Sequence, residues 1–299
     1  GSEILDFLNE GVKIANVDIK CGVEIYDIKK NNEVFDVCFK HFGSEHHVVA
    51  NAILVTTGYD LFDATLKEEY GYGIYNNVIT SADLEKMFTS GKPITNAKGE
   101  TPKRIGFVHC VGSRDEKVGH VYCSKVCCVT GVKQAIEVKQ LLPDTKIFSF
   151  YMDMRMYGMH FEAMYKKAQE EYGVSYVRGR LSEASENIDG SILIKVEDTL
   201  AGKPMKMSVD LLVLLIGFAP AKGSKEIGNM LGLNVGVNGF YKTADQHALT
   251  NISNVPGVFF AGTCTSPKTI TNTITDARAA ASTIARYLEG NSIMSRKLA

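Results

Sequence analysis

The sequence has almost no charge bias. Its 33 lysines and arginines are set against 34 aspartates and glutamates, a formal net charge of −1. Nothing in that balance points to an electrostatic grip on nucleic acid or on an acidic membrane surface. Long apolar runs are missing too. The longest, Leu211–Ile216, is far short of the roughly 20 residues of a spanning helix and reads as a buried strand, so no direct membrane span is expected. The first residues are Gly1-Ser2 rather than methionine, which marks a tag scar or an excised piece and strips the missing signal peptide of meaning. Two short patterns are also absent. Without G-x-G-x-x-G between strand and helix, ordinary pyridine-nucleotide binding is not expected, and without Cys-x-x-Cys there is no redox-active dithiol of the usual spacing.

Cysteine is what the chain does have. Seven is an odd number and the spread is uneven, which argues against a secreted disulfide framework and for ligands in a reducing, cytoplasmic compartment. Cys110, Cys123, Cys127 and Cys128 crowd into the stretch HCVGSRDEKVGHVYCSKVCC. Four thiolates are what a [4Fe–4S] cluster needs, one per iron. Zinc and a set of metal-free thiols stand as competing readings, although structural zinc favours paired Cys-x-x-Cys knuckles. His109 and His120 flank the loop and read as hydrogen-bonding neighbours of the sulfurs. Cys21 and Cys38 lie in strand-like segments and read as buried structural thiols, while Cys264 lies in a loop.

From Val12 to Gly58 the pattern is strands and turns, with Val23–Ile28 and Val34–Phe39 alternating around Asn31-Asn32. A connecting stretch with one short helix follows from Leu61 to Lys103. Then comes a β-α-β unit: strand Arg104–His109, the cysteine loop, helix Ser124–Leu142 and strand Lys146–Tyr151. That helix would put Cys123 and Cys127 one turn apart near its start. Helix Phe161–Tyr172 and strand Val174–Arg178 come next, then a second meander from Leu181 to Met207. The segment Ala52–Tyr59 is weakly repeated in Leu211–Phe218: each copy follows a meander and ends a buried strand on glycine and an aromatic, Gly58-Tyr59 and Gly217-Phe218. Two such copies point to an α/β fold with two stacked dinucleotide-binding-type domains. One spans 1–103 and 217–299; the other, 104–216, carries the cysteines. Strand Val258–Ala261 then leads through Gly262 to a helix from about Thr273 to Leu288, capped by Asn272 or Thr273.

At CVGSRDE, YCSKVCC, GVKQA, EEYGVSYVRGR and KVEDTLAG the chain closely resembles the A subunit of heterodisulfide reductase and its relatives. The match runs from about Val23 to the C-terminal helix. It implies a thioredoxin-reductase-like pair of domains, bound FAD and an unusual [4Fe–4S] cluster with Cys110, Cys123, Cys127 and Cys128 as ligands. The same resemblance makes Gly58 and the segment 262–270 parts of the flavin site: Gly262, Thr263, Lys268, Thr269 and Ile270. Lys268 is expected near the redox-active edge of the ring, where a cation stabilises reduced flavin. Thr263 stands where many related flavoproteins have aspartate. The ADP-binding βαβ unit that opens a FAD domain is missing, so the FAD-type domain is read as N-terminally truncated, and the ferredoxin-type C-x-x-C-x-x-C runs are absent.

The expected function is an oxidoreductase subunit passing electrons between FAD and a [4Fe–4S] cluster. Other redox subunits of a heterodisulfide reductase-type complex are its expected partners, flavin-based bifurcation is its family-level activity, and a homodimer is compatible with the resemblance. The rival readings are a subunit of a quinone-interacting complex, a pyridine-nucleotide disulfide reductase, and a non-catalytic cluster-bearing scaffold.

Overall fold

A computed structural model describes residues 2–297. Its centre is a five-stranded parallel sheet in the order Val78–Thr80, Leu211–Ile216, Arg104–Val111, Lys146–Tyr151, Ser175–Arg178. All six residues of Leu211–Ile216 are buried, as a parallel strand covered on both faces requires. The strand period of two sends Val213 and Leu215 one way and Leu212 and Leu214 the other. On the first side they meet Leu84, Val132, Ala135, Val138 and Ala168 of helices Ser81–Ser90, Cys127–Leu141 and Met159–Glu170. On the second they meet Ile192, Ile194, Val196 and Val209 of an antiparallel sheet, Leu181–Glu186, Ile192–Asp198 and Lys203–Val209. Each large apolar side chain so buried contributes about 1.5–3 kcal/mol. Although it precedes residue 104, the Val78–Thr80 strand pairs with Leu211–Ile216, and its Thr80 caps helix Ser81–Ser90 in a reciprocal capping box with Asp83.

A second core gathers Ile28, Phe35, Val55, Leu231, Tyr241, Val258 and Phe260. It lies between the antiparallel strands Val23–Asn31, Val34–His41 and Ser44–Ala50 and the short parallel pair Ile53–Val55 with Val258–Phe260. The internal repeat becomes the joint between the two cores. Tyr59–Leu61 pairs antiparallel with Phe218–Pro220, and the Tyr59 and Phe218 rings stack with centroids 3.6 Å apart. Gly58 has a φ of 77°. Gly217 is needed for a different reason: a Cβ there would stand 2.1 Å from Ser113 Oγ and 2.5 Å from Ser124 Oγ.

The termini differ from the sequence reading. Residues 2–14 form a helix, Ser2–Ile14, where strands were expected to begin at Val12; its Ile4, Leu5 and Leu8 follow helical spacing. The C-terminal helix starts at Ile270 rather than near Thr273, because Thr269 Oγ1 accepts the Asn272 N–H at 3.2 Å and caps it. Among the described residues no helix is long and apolar enough to cross a membrane.

Candidate functional site

The cysteine loop leaves the carboxyl end of Arg104–Val111, the middle strand of the sheet. Cys110 and Arg114 take left-handed φ values of 61° and 55°, with Gly112 between them at 71°. A hairpin follows, held by Arg114 N to Tyr122 O and by the reciprocal Asp115 and His120 pair. Lys125, at φ 61°, then turns the chain into the helix. That helix begins at Cys127, with Val126 offering no side-chain cap. Cys123 therefore lies outside the helix, and the one-turn spacing expected between Cys123 and Cys127 does not occur. The positive φ at Lys125 breaks the helical path that sequence periodicity extended back to Ser124.

Three sulfurs are brought together. Cys110, Cys127 and Cys128 pack in one buried group, and their mutual interaction holds the Cys110 and Cys128 thiols below the ordinary range and drives Cys127 above it. All three are buried, whereas Cys123 is half-buried and accepts the Lys125 N–H at 3.3 Å. His109 lies against the group: its Nε2 meets Ser149 Oγ at 2.7 Å and its Nδ1 is buried without a hydrogen-bond partner. Arg114 Nη2 donates to Asp153 Oδ2 at 2.7 Å, and its Nη1 is likewise buried and unpartnered. His120 Nδ1 donates to Gly112 O at 3.0 Å. Below the loop Lys67, 2 % exposed, lies 2.6 Å from both Asp115 and Glu69, and Arg180 closes on Asp115 at 2.6 Å.

Among the described residues no group of three or more His, Cys, Asp or Glu side chains stands in coordinating geometry. The donor chemistry nonetheless fits an iron–sulfur cluster. Three buried soft ligands share one packed group, a fourth cysteine lies on the adjoining loop, and the buried Arg114 Nη1 and His109 Nδ1 have no hydrogen-bond partner. The paired Cys-x-x-Cys knuckles that structural zinc favours are absent from the sequence.

The second set of expected residues lies where Ile53–Val55 and Val258–Phe260 end side by side, and this places Gly58 and Gly262 near one sheet edge. Lys268 Nζ is held by Gly262 O and Thr265 Oγ1, both at 2.6 Å, and by Asp276 Oδ2 at 2.9 Å. Asp276 also accepts the Gly262 N–H at 2.8 Å and the Asn251 Nδ2 at 2.8 Å. Lys268 and Asp276 line a cleft of about 860 Å3 together with Tyr241, Lys242, Thr265 and Asn272. Gly58, Gly262, Thr263, Thr269 and Ile270 are not among its lining residues. Sequence reasoning missed Asp276, which sits in the helix like any surface acid, and Lys67, whose burial no local pattern announces.

A family model of pyridine nucleotide-disulphide oxidoreductases matches residues 128–282. The chain belongs to that family. Among solved structures, this oxidoreductase-family chain is similar to thioredoxin reductase of T. acidophilum, with a TM-score of 0.61 at 16 % identity over 97 % of this chain and 80 % of the other. Thioredoxin reductase of Lactococcus lactis gives 0.57 at 15 % identity over 89 % and 74 %. The expected thioredoxin-reductase-like α/β fold is therefore borne out. Among curated proteins the chain is 42 % identical over 242 residues to the A subunit of the H(2):CoB-CoM heterodisulfide,ferredoxin reductase of Methanothermobacter thermautotrophicus, covering 79 % of this chain and 37 % of that protein. It is 41 % identical over 238 residues to the iron-sulfur A subunit of the CoB–CoM heterodisulfide reductase of Methanocaldococcus jannaschii, covering 78 % and 36 %. The resemblance read from the cysteine motifs is thus borne out, and the chain spans little more than a third of the length of these relatives.

Proposed function

We propose that this chain is the electron-transfer core of a heterodisulfide reductase-type A subunit, in which a [4Fe–4S] cluster occupies the place of a nucleotide phosphate loop. The observation that carries the reading is the burial of Cys110, Cys127 and Cys128 in one packed group at the carboxyl end of the central parallel strand, where a dinucleotide fold binds its ligand. Cys110, Cys127 and Cys128 would hold the cluster from within the fold and Cys123 from the hairpin side. The cluster supplies one-electron chemistry at low potential. Arg114 offsets part of the charge that the sulfurs bring, and the buried Nδ1 of His109 is unpartnered beside them. The helix Cys127–Leu141 adds the positive end of its dipole beneath Cys127 and Cys128.

FAD is the second cofactor of this reading. The flavin supplies the exchange between electron pairs and single electrons. Gly58, Gly262 and Thr263 near the strand ends, and Thr269 and Ile270 at the start of the C-terminal helix, would hold it, with Lys268 as its catalytic cation. The cleft beside Lys268 and Asp276 supports the Lys268 part of this assignment, and the ion pair moderates the charge that Lys268 presents. In domain terms, 104–216 carries the cluster, and 1–103 with 217–299 carries the flavin edge. The partners of this reading are other redox subunits of the same complex; the relatives are themselves named as A subunits. Flavin-based bifurcation is the activity the whole complex would perform, in the cytoplasm. The homodimer has no support in the comparisons and is not proposed.

The test is anaerobic purification with joint quantification of iron, acid-labile sulfide, zinc and flavin. About four irons and four sulfides per chain, lost in Cys127→Ser, is the expected result. One zinc per chain, or no metal after reconstitution with iron and sulfide, overturns the reading.

A further inference from the structure

In a dinucleotide-binding unit the second strand commonly ends in an acidic residue that hydrogen-bonds the ribose hydroxyls. Here the strand Lys146–Tyr151 is followed by Asp153, in that position. Asp153 has another occupation. Its carboxylate grips Arg114 Nη2 at 2.7 Å and stands 3.5 Å from Arg178 Nη2, and its backbone oxygen lies 3.8 Å from Cys128 Sγ. The grip fixes the Arg114 guanidinium against the cysteine group. One nitrogen is spent on Asp153; the other, Nη1, is buried and has no acceptor. The backbone of Arg114 is held at φ 55°, a strained conformation for a residue with a side chain. Burial opposes the arginine's charge, yet Asp153 and the Cys110 sulfur more than offset that and raise its proton affinity.

We infer that Arg114 is a potential-setting residue for the cluster, oriented by Asp153, with its inner Nη1 donating to the sulfur of the Cys110 corner. This rests on the cluster reading above. A guanidinium is charged at every accessible pH, so its effect is a fixed field and not a protonation switch. Adding an electron makes the cluster more negative, so a buried cation beside it favours the reduced form and raises the one-electron potential. Asp153 acts in the opposite sense: it orients the arginine while cancelling part of its charge. Its side chain is 45 % exposed, so solvent screens its own field more than that of Arg114, which is 21 % exposed.

The experiment is a redox titration of the reconstituted chain, read by electron paramagnetic resonance, for wild type, Arg114→Met, Arg114→Lys and Asp153→Asn. Iron content and far-UV circular dichroism establish loading and fold in each. Arg114→Met lowers the midpoint potential, Arg114→Lys restores part of the shift, and Asp153→Asn raises the potential by a smaller amount. Opposite signs for Arg114→Met and Asp153→Asn are the signature, because a packing role would move both variants the same way. Equal-signed shifts, or an Arg114→Met potential equal to wild type in a loaded and folded protein, overturn the inference and leave the cluster reading standing. A wild-type chain that takes up no cluster overturns both.

Discussion

Asp115→Ala is expected to be among the most destabilising single changes in the chain, at about 3–5 kcal/mol, the range found when one partner of a buried ion pair is removed. Asp115 is 3 % exposed and accepts from Lys67 Nζ and Arg180 Nη2, each at 2.6 Å, and from the Lys117 N–H at 3.1 Å. Removing it leaves Lys67, which is 2 % exposed, with Glu69, itself 30 % exposed, as its ion-pair partner and the Tyr70 ring 5.7 Å away. Lys67→Met is milder, about 1–3 kcal/mol, since Asp115 retains Arg180 and the Lys117 amide. In the double variant Lys67→Met/Asp115→Leu no buried charge is left over, and most of the loss returns. Urea unfolding of the metal-free chain, followed by far-UV circular dichroism, measures all three. The pH dependence has a definite sign. Burial raises the Asp115 carboxyl, but the hydrogen bonds from Lys67 and the Lys117 amide, together with the charges of Arg180 and Lys67, outweigh it and the group sits below its ordinary value. Its stabilisation is therefore complete above the unfolded carboxylate value of about 3.9 and disappears as pH falls through the lower folded value. The gap between wild type and Asp115→Ala should be widest near neutral pH and close below about pH 4. A gap under about 1 kcal/mol at pH 7, or one that does not narrow with acid, would refute the argument.

The two repeated glycines should respond differently to alanine. Gly217→Ala forces Ser113 Oγ and Ser124 Oγ apart and costs about 1–3 kcal/mol, while Gly58→Ala meets open space and pays only for its φ of 77°, about 1–2 kcal/mol; equal iron uptake by both variants would count against the Ser113–Ser124 contact shaping the cysteine loop. Asp276→Ala deprives Lys268, Gly262 N and Asn251 of an acceptor at once, so thermal denaturation should show a loss of about 1–3 kcal/mol; no change in melting would mean that solvent replaces all three. Burial pushes the Cys264 thiol up to about 11, whereas Cys21 is exposed. Iodoacetamide at pH 8 followed by mass spectrometry should therefore find Cys21 modified long before Cys264, and comparable rates would show that the Cys264 loop opens readily.

Much of the sheet was legible because parallel strands write themselves as continuous apolar runs: Leu211–Ile216 and the strand from Arg104 were found almost to the residue. The meanders were found from period-two alternation. What periodicity cannot show is where a helix is prevented from starting. Ser124, Lys125 and Val126 carry no helix-breaking composition, and only the left-handed backbone at Lys125 keeps Cys123 out of the helix. The helix at the amino end is hard to read from sequence because the β-branched residues Val12, Ile14, Val17 and Ile19 at and just beyond its end favour a strand. At the sites, residue type announced the cysteines and Lys268. Their partners Asp153, Asp276 and Lys67 were invisible, because what singles them out is contact across 39, 8 and 48 positions of chain.

Backbone strain supports the same reading of the loop independently of its sulfur. Six non-glycine residues take a left-handed φ among those described. Asn16, Asn32 and Phe42 lie at exposed turns and ends, where asparagine in particular adopts that conformation at small cost. The other three, Cys110, Arg114 and Lys125, all belong to the cysteine loop. A loop that only had to reverse the chain would meet this need with glycine, as Gly112 and Gly119 do within the same segment. Holding cysteine and arginine there costs about 1–2 kcal/mol each. Strain of that kind persists where the side chain is required and the surroundings over-determine it. For Cys110 the surroundings are the buried thiols of Cys127 and Cys128; for Arg114 they are Asp153 and the hairpin amide bond to Tyr122. The loop is thus built to hold a thiol and a guanidinium at the end of the central strand, a charge arrangement suited to an anionic, sulfur-bound group.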